Sequence, residues 1–395
     1  MKITIVTPYD SANYGAYLQA LANKIFLEEL GHSVFFYKWR SPKKRKQLFL
    51  GKKDSIKNLI KYVMKYKYNA HKYHVFSEAL DIFHEIDKNE LSAMELAILG
   101  SDEIWNINVN TFQNPVFYGE INVPKICAYA PSAGNGAELE RYNSVCCSLA
   151  QVKIIGVRDQ STVELVEKLL NKKTKLVVDP TLLIPFSYYP VPNKRIISEK
   201  YMLIYSYDIS KEHIEWIKRY AHEKKLKTVA VCMQHGWCDK NICVSPLEFL
   251  SLIRDAECVY TTTFHGSIFT FLQHKRCYVD IKSTKVKDLL AWTGMTNQVN
   301  RANCTYERFV KILDIQPNYN LFEENLLLRR KQSSSMYQEI LTKIEKMQES
   351  GERNDLYMSK RKMFRLWFMF RSLSSKSNNN EREKANWAFC TRSRW

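Results

Sequence analysis

The chain has 395 residues, is 45% hydrophobic and carries a formal charge of +18. Such length and apolar content exclude a single small module or a disordered chain and predict two domains with sizeable cores. The charge does not argue for nucleic acid, because it is confined to two arms: twelve Lys/Arg against Asp54 over residues 40–73, a net +11, and eleven against four acids over residues 351–395, a net +7.

KITIVTP (2–8) reads as a first strand, followed by an amphipathic helix from about Gly15 to Leu30 and a second strand at SVFFYKW (33–39). After the basic arm come strands at LAILG (96–100), KICAYAPS (125–132) and IIGVRD (154–159), a helix to about Asn171, and KLVVDPTLLI (175–184). PFSYYPVPNKR (185–195) reads as an interdomain linker. The alternation restarts with YMLIYSY (201–207), a helix from Ser210, KTVAVCM (227–233), a helix from Ser245, CVYTTTF (258–264), a further helix, and CYVDI (277–281). Segment 321–349 reads as a long closing helix. Apolar runs bounded by turns, with helices between them, predict parallel sheets covered on both faces. The fold class expected is α/β, two Rossmann-like domains facing across a cleft, with a C-terminal helical segment. The organisation expected is a first domain at 1–187 with a basic helical insertion at about 40–90, a second at 188–330, a closing helix at 331–350 and a basic amphipathic and disordered tail at 351–395.

Of the ten cysteines, Cys127, Cys258 and Cys277 sit in apolar runs, Cys146 and Cys147 are adjacent, and no CxxC pair occurs. His235, Cys238 and Cys243 have loose ligand spacing and lack a fourth partner, so incidental thiols in a loop outweigh zinc. MKITIVTP has no signal-peptide character. The expectation is a reducing, cytoplasmic location, peripheral at most to the inner face of the membrane.

In parallel α/β sheets ligands bind beyond the carboxyl ends of the strands. The first strand ends in TPYDSANYGAYLQAL, where Asp10, Ser11 and Asn13 suit a turn and helix cap and Gly15 lets backbone approach a ligand; a capped loop is the alternative. GSDEIWN (100–106) repeats the pattern, with Ser101 and Asp102 read as ligand contacts or caps. GVRDQSTVEL (156–165) places Arg158 at a strand end, with Ser161 and Glu164 spaced as a capping box. That guanidinium takes a carboxylate or phosphate, or pairs with Asp159 or Asp179. Asp179-Pro180 reads as a turn at the domain exit. In TTTFHGS, His265 stands where a strand becomes a helix, between the hydroxyls of Thr263 and Ser267, with Gly266 read as clearing space for a ligand. An imidazole there can exchange protons near neutral pH.

In these residues the chain resembles the polysaccharide pyruvyl transferase family. The matching stretches are NYGAYLQALA, GSDEIWN, YAPSAG, GVRDQSTVEL, VVDPTLLI and PLEFLSLIRDAECVYTTTFHGSIF, in the family's order over roughly residues 1–301. Three departures stand out: Glu103-Ile104 where the family often has Gln-Val, Arg158-Asp159 where it commonly has Arg-Glu, and Thr261-Thr262-Thr263 where a Ser-Asp-Ser-like run often precedes FHG. The resemblance implies a glycosyltransferase-B-like fold. It also implies transfer of a pyruvyl group from phosphoenolpyruvate to a sugar of a surface polysaccharide or its lipid-linked precursor, closing a cyclic ketal across two hydroxyls. On that reading His265 is the general acid and Arg158 the anion clamp, with Asn13, Gly15, Ser101, Asp102, Thr263, Gly266 and Ser267 as substrate contacts. No cofactor and no metal are expected.

Two rivals stay open: a nucleotide-sugar glycosyltransferase on the same scaffold, and a non-catalytic binding protein. Within the first arm Ile56, Leu59, Ile60, Val63 and Met64 recur at helical spacing among lysines. The plainest reading is a solvated helical insertion. An amphipathic helix on an anionic membrane or a neighbouring domain is the alternative, favoured over nucleic acid, which is not an expected partner. MSKRKMFRLWFMFRSL (358–373) reads as an interfacial anchor or as a segment packed on the body.

Overall fold

The structure, a computed structural model, describes residues 1–51, 54–134, 139–298 and 304–349. The basic tail and its 358–373 run therefore lie outside the described residues. Residues 1–346 form one compact unit.

The first lobe begins with β1 (Lys2–Val6), α1 (Tyr14–Glu29) and β2 (Ser33–Tyr37). The basic insertion forms two helices, α2 (Pro42–Leu50) and α3 (Ile56–Ala79), before β3 (Glu85–Ile86). There follow β4 (Leu96–Leu99), β5 (Ile126–Tyr129), α4 (Cys146–Ala150), β6 (Ile155–Val157), α5 (Gln160–Leu170), β7 (Lys175–Leu176) and α6 (Pro180–Leu183). The second lobe contains β8 (Tyr201–Tyr205), α7 (Lys211–Glu223), β9 (Lys227–Val231), β10 (Lys240–Ile242), α8 (Pro246–Asp255), β11 (Cys258–Thr261), α9 (Phe264–Leu272), β12 (Cys277–Val279), α10 (Thr284–Thr293) and α11 (Tyr306–Asp314). The 30-residue α12 (Asn320–Glu349) comes last.

Both sheets are parallel throughout. The first runs β3-β2-β1-β4-β5-β6-β7 and the second β10-β9-β8-β11-β12. Each reverses direction of growth once, between β1 and β4 and between β8 and β11, giving the two Rossmann-like halves expected of a glycosyltransferase-B-like chain. Central strands such as Ile126–Tyr129 and Tyr201–Tyr205 are buried at every residue, as strands covered on both faces must be.

Three local expectations change. After a last bond from Val177 N to Val157 O at 2.8 Å, Val178 and Asp179 leave the sheet, because Pro180 cannot donate to a ladder and instead opens α6. Asp159 caps α5, its side chain accepting from Thr162 N, so the Ser161–Glu164 capping box does not form. The short edge strands β3 and β10 were not anticipated, since neither has an apolar run.

α12 begins on the second lobe, where Phe322 packs against Phe271, and finishes on the first. There Ser333 Oγ accepts from Val178 N at 2.9 Å, Tyr337 stacks on Tyr129 with centroids 4.0 Å apart, and Ile344 O accepts from Lys125 Nζ at 2.8 Å.

Candidate active site

The switch points of the two sheets face each other, and the loops beyond β1, β4, β8 and β11 meet between the lobes. Beyond β1, Asn13 caps α1, its Oδ1 accepting from Gly15 N at 2.8 Å while its Nδ2 donates to Tyr207 of the second lobe at 2.9 Å. A Cβ on Gly15 would lie 2.1 Å from His265 Nδ1. Glycine is required here because the imidazole packs directly on the first turn of α1.

Beyond β4, Ser101 is buried, and its Oγ donates to Ala130 O at 2.9 Å and Asp179 Oδ2 at 3.2 Å. Asp102 adopts a φ of +77°, a conformation that a short polar side chain tolerates by bonding to its own surroundings. Its Oδ1 accepts from Glu103 N at 2.8 Å and from Arg158 Nη2 at 3.3 Å.

Arg158, beyond β6, is buried and donates through Nη1 to Asp179 Oδ2 at 2.8 Å. Its guanidinium also lies 5.1 Å from the Phe264 ring centre. The other Asp179 oxygen accepts from Thr181 N and Oγ1 at 3.1 and 2.7 Å. Burial pushes the Asp179 carboxyl up, but the adjoining His265 and Arg158, with the Thr181 bond, hold it well below the usual carboxylate range. Burial likewise opposes the Arg158 charge, and the carboxylates of Asp179 and Asp102 overcome it, raising its pKa.

His265 enters from β11. Thr263 caps α9 by accepting from Gly266 N at 3.0 Å. His265 Nε2 stands 3.6 Å from Asp179 Oδ2, within ion-pair reach. It is otherwise a buried nitrogen without a hydrogen-bond partner among the described residues. Two expected contacts are occupied by the protein itself. A Cβ on Gly266 would meet Thr261 Oγ1 at 2.3 Å and Thr263 Oγ1 at 2.4 Å, so its missing side chain accommodates those hydroxyls and leaves no gap for a ligand. Ser267 Oγ donates to Thr263 O at 2.9 Å, inside the same turn.

The structure thus brings His265, Arg158, Ser101 and Asp102 around Asp179, with Asn13 and Gly15 on the far side of the imidazole. A cleft of about 250 Å³ opens beside Arg158 and Asp179 and is lined by Phe264, Lys285, Trp292 and Arg329; His265 does not line it. At its edge Lys285 reaches across to Glu103 at 2.5 Å. Burial pushes Glu103 up, yet the Lys285 charge prevails and brings it down to about 2. The carboxylate that departs from the family's Gln is therefore a bridge between lobes.

Asp179, Lys285 and Phe264 were not singled out for the site. Asp179 read as a turn residue and, with Asp159, as an alternative partner for Arg158, and the structure makes it that partner. No pattern in the sequence marks Lys285, which reaches the site only through lobe packing. Among the described residues no cluster of three or more His, Cys, Asp or Glu is arranged to hold a metal. His235 Nε2 instead lies 2.9 Å from Ser206 O, and Cys238 is buried in the second core.

A family model described as polysaccharide pyruvyl transferase matches residues 13–279, which include Asn13, Gly15, Ser101, Asp102, Arg158, Asp179 and His265. The chain belongs to the polysaccharide pyruvyl transferase family. No curated protein matches it. Among solved structures, it is similar to the UDP-GlcNAc 2-epimerase of Methanocaldococcus jannaschii, at 10% identity and a TM-score of 0.49 over 87% of this chain and 99% of that one. It is also similar to UDP-GlcNAc 2-epimerase from Neisseria meningitidis bound to UDP-GlcNAc, at 10% identity and a TM-score of 0.47 over 87% and 100% of the two chains. An alpha-glucosyltransferase in complex with UDP gives 10% identity and a TM-score of 0.47 over 87% and 99%. In this pyruvyl transferase family member, residues from two lobes converge on one buried carboxylate oxygen, a constellation that can hold and deliver a proton beside a guanidinium.

Proposed function

We propose that this protein transfers a pyruvyl group from phosphoenolpyruvate to a sugar of a surface polysaccharide or its lipid-linked precursor. The observation that carries the reading is the meeting of His265 and Arg158 on Asp179 Oδ2, at 3.6 and 2.8 Å, where two switch points face each other. His265 donates its proton to the methylene carbon of the donor, creating an oxocarbenium-like centre at the adjacent carbon. A sugar hydroxyl adds there and passes its proton to the released Asp102, from which it returns to His265 and restores the acid. Phosphate then departs as a second hydroxyl closes the ketal, and the second hydroxyl proton leaves with it, so atoms and charge balance.

Arg158 already holds two carboxylates. Asp102, at 3.3 Å, is the longer of its contacts and the one that a donor phosphate or carboxylate replaces, leaving Asp179 to keep the guanidinium in place. Asp102, once released, can accept a sugar hydroxyl proton.

The test is incubation with phosphoenolpyruvate and candidate glycans, following phosphate release and the mass gained by the sugar. Phosphate release coupled to that gain supports the reading. Thermal stabilisation by UDP or GDP and not by phosphoenolpyruvate would favour nucleotide-sugar transfer instead.

A further inference from the structure

The insertion helix α3 meets the body along one side and at one end. Near its C-terminus, Tyr68 donates to Ile242 O at 3.2 Å, Lys72 Nζ donates to Cys232 O at 3.1 Å, and Phe76 stacks on Tyr14 with centroids 5.1 Å apart. At 3.6 residues per turn, Lys72 and Phe76 point away from Ile56, Leu59, Ile60, Val63 and Met64, which share an arc of about 140°. All five are exposed, Ile56 and Met64 by 80% and Val63 by 66%. Scattered surface aliphatics need no explanation, but five on one helical face form a continuous apolar stripe.

The insertion is strongly cationic, with exposed acids only at its ends, Asp54 before the stripe and Glu78 in the last turn of α3. Lys43, Lys44, Lys46, Lys65 and Lys67 are exposed, and Asp54 is the sole acid between Arg40 and Tyr73. Arg40 and Arg45 turn inward, to Asp10 at 2.9 and 3.2 Å, so the outward cations are lysines on flexible stems.

We infer that the exposed face of α3 is a membrane-docking surface that lies in the headgroup region of an anionic bilayer. An aliphatic stripe on a strongly cationic insertion suits the two layers such a surface offers, acyl chains below and anionic headgroups above. The five stripe residues are aliphatic, and the exposed Tyr66 at their edge is an amphipathic ring of the kind found at the headgroup level of a bilayer. The anchored end of α3 contacts Tyr14 at the start of α1 and Cys232 beyond β9, so a docked helix would tie both lobes to the lipid surface. The inference stands on the helix alone and is independent of the reaction.

The experiment is flotation of the full chain with phosphatidylcholine vesicles containing phosphatidylglycerol and with pure phosphatidylcholine vesicles, using wild type and the Val63→Glu/Met64→Glu variant. The wild type should float with the anionic vesicles only, and less so as salt is raised. The variant should lose at least about tenfold in vesicle affinity, since two apolar contacts become charged, with its thermal unfolding unchanged. Absence of flotation with anionic vesicles overturns the inference, as does equal flotation of the variant. So does loss of a dimer in the variant, or an RNA oligonucleotide bound through the same residues in place of vesicles.

Discussion

His265 and Asp179 carry the reaction proposed here in different capacities. On the proposed mechanism a donor entering from the adjoining cleft comes within reach of the imidazole, so His265→Ala should lower turnover by about 10²–10⁴-fold, the usual share of a general acid. Thermal stabilisation by phosphoenolpyruvate should persist, because the anion contacts belong to other side chains; a variant with wild-type phosphate release would remove His265 from the mechanism. Asp179 positions the ring and neutralises Arg158. Asp179→Asn leaves a buried guanidinium with only its longer carboxylate contact, and urea denaturation should register a loss of about 3–5 kcal/mol at neutral pH. The sign of its pH dependence follows from the depressed folded pKa. The unfolded carboxyl, with an ordinary value of 3.8, takes up its proton first as the solution is acidified. The contribution of Asp179 is thus complete above about pH 4 and shrinks below it, so the gap between wild type and variant should narrow in acid.

Among the elements, α10 and the loop after β4 make the bridge that closes one side of the cleft. Glu103→Gln should cost about 1 kcal/mol in denaturant unfolding, the order expected of a partly screened pair. Because the Glu103 pKa is lowered from 4.5 to about 2, that difference should be full above about pH 4.5 and disappear as the pH falls towards about 2. The same elements mark how far the sequence could be read. Strands such as KITIV and YMLIY announce themselves because burial on both faces demands unbroken apolar runs. His265 and Arg158 were legible because each ends such a run. Asp179 was legible only in part, as a turn residue and, with Asp159, as an alternative partner for Arg158; here it is turn, cap and that buried counter-ion together. Glu103 and Lys285 are 182 positions apart, and only the packing of one lobe on the other makes them neighbours.

For the molecule as a whole, α12 is the tie. It starts against Phe271 in the second lobe and ends against β5 of the first. Tyr337→Ala removes a fully buried ring stacked on Tyr129 and a hydroxyl bonded to Asn23, and should cost about 3–5 kcal/mol in urea unfolding, as other large aromatic truncations do. A loss below about 1 kcal/mol would mean that this end of the helix adds little to the fold.

The imidazole comes from one lobe, while Asp179 and Arg158 come from the other. Any swing that parts the lobes therefore separates the acid from its counter-ion and exposes Nε2 to bulk solvent. On the proposed mechanism, full closure and chemical competence are then a single condition, and a donor that fails to draw the halves together meets no armed acid. In the reaction proposed above, such coupling would withhold the proton from the enol phosphate until the lobes have closed on it and shut out water.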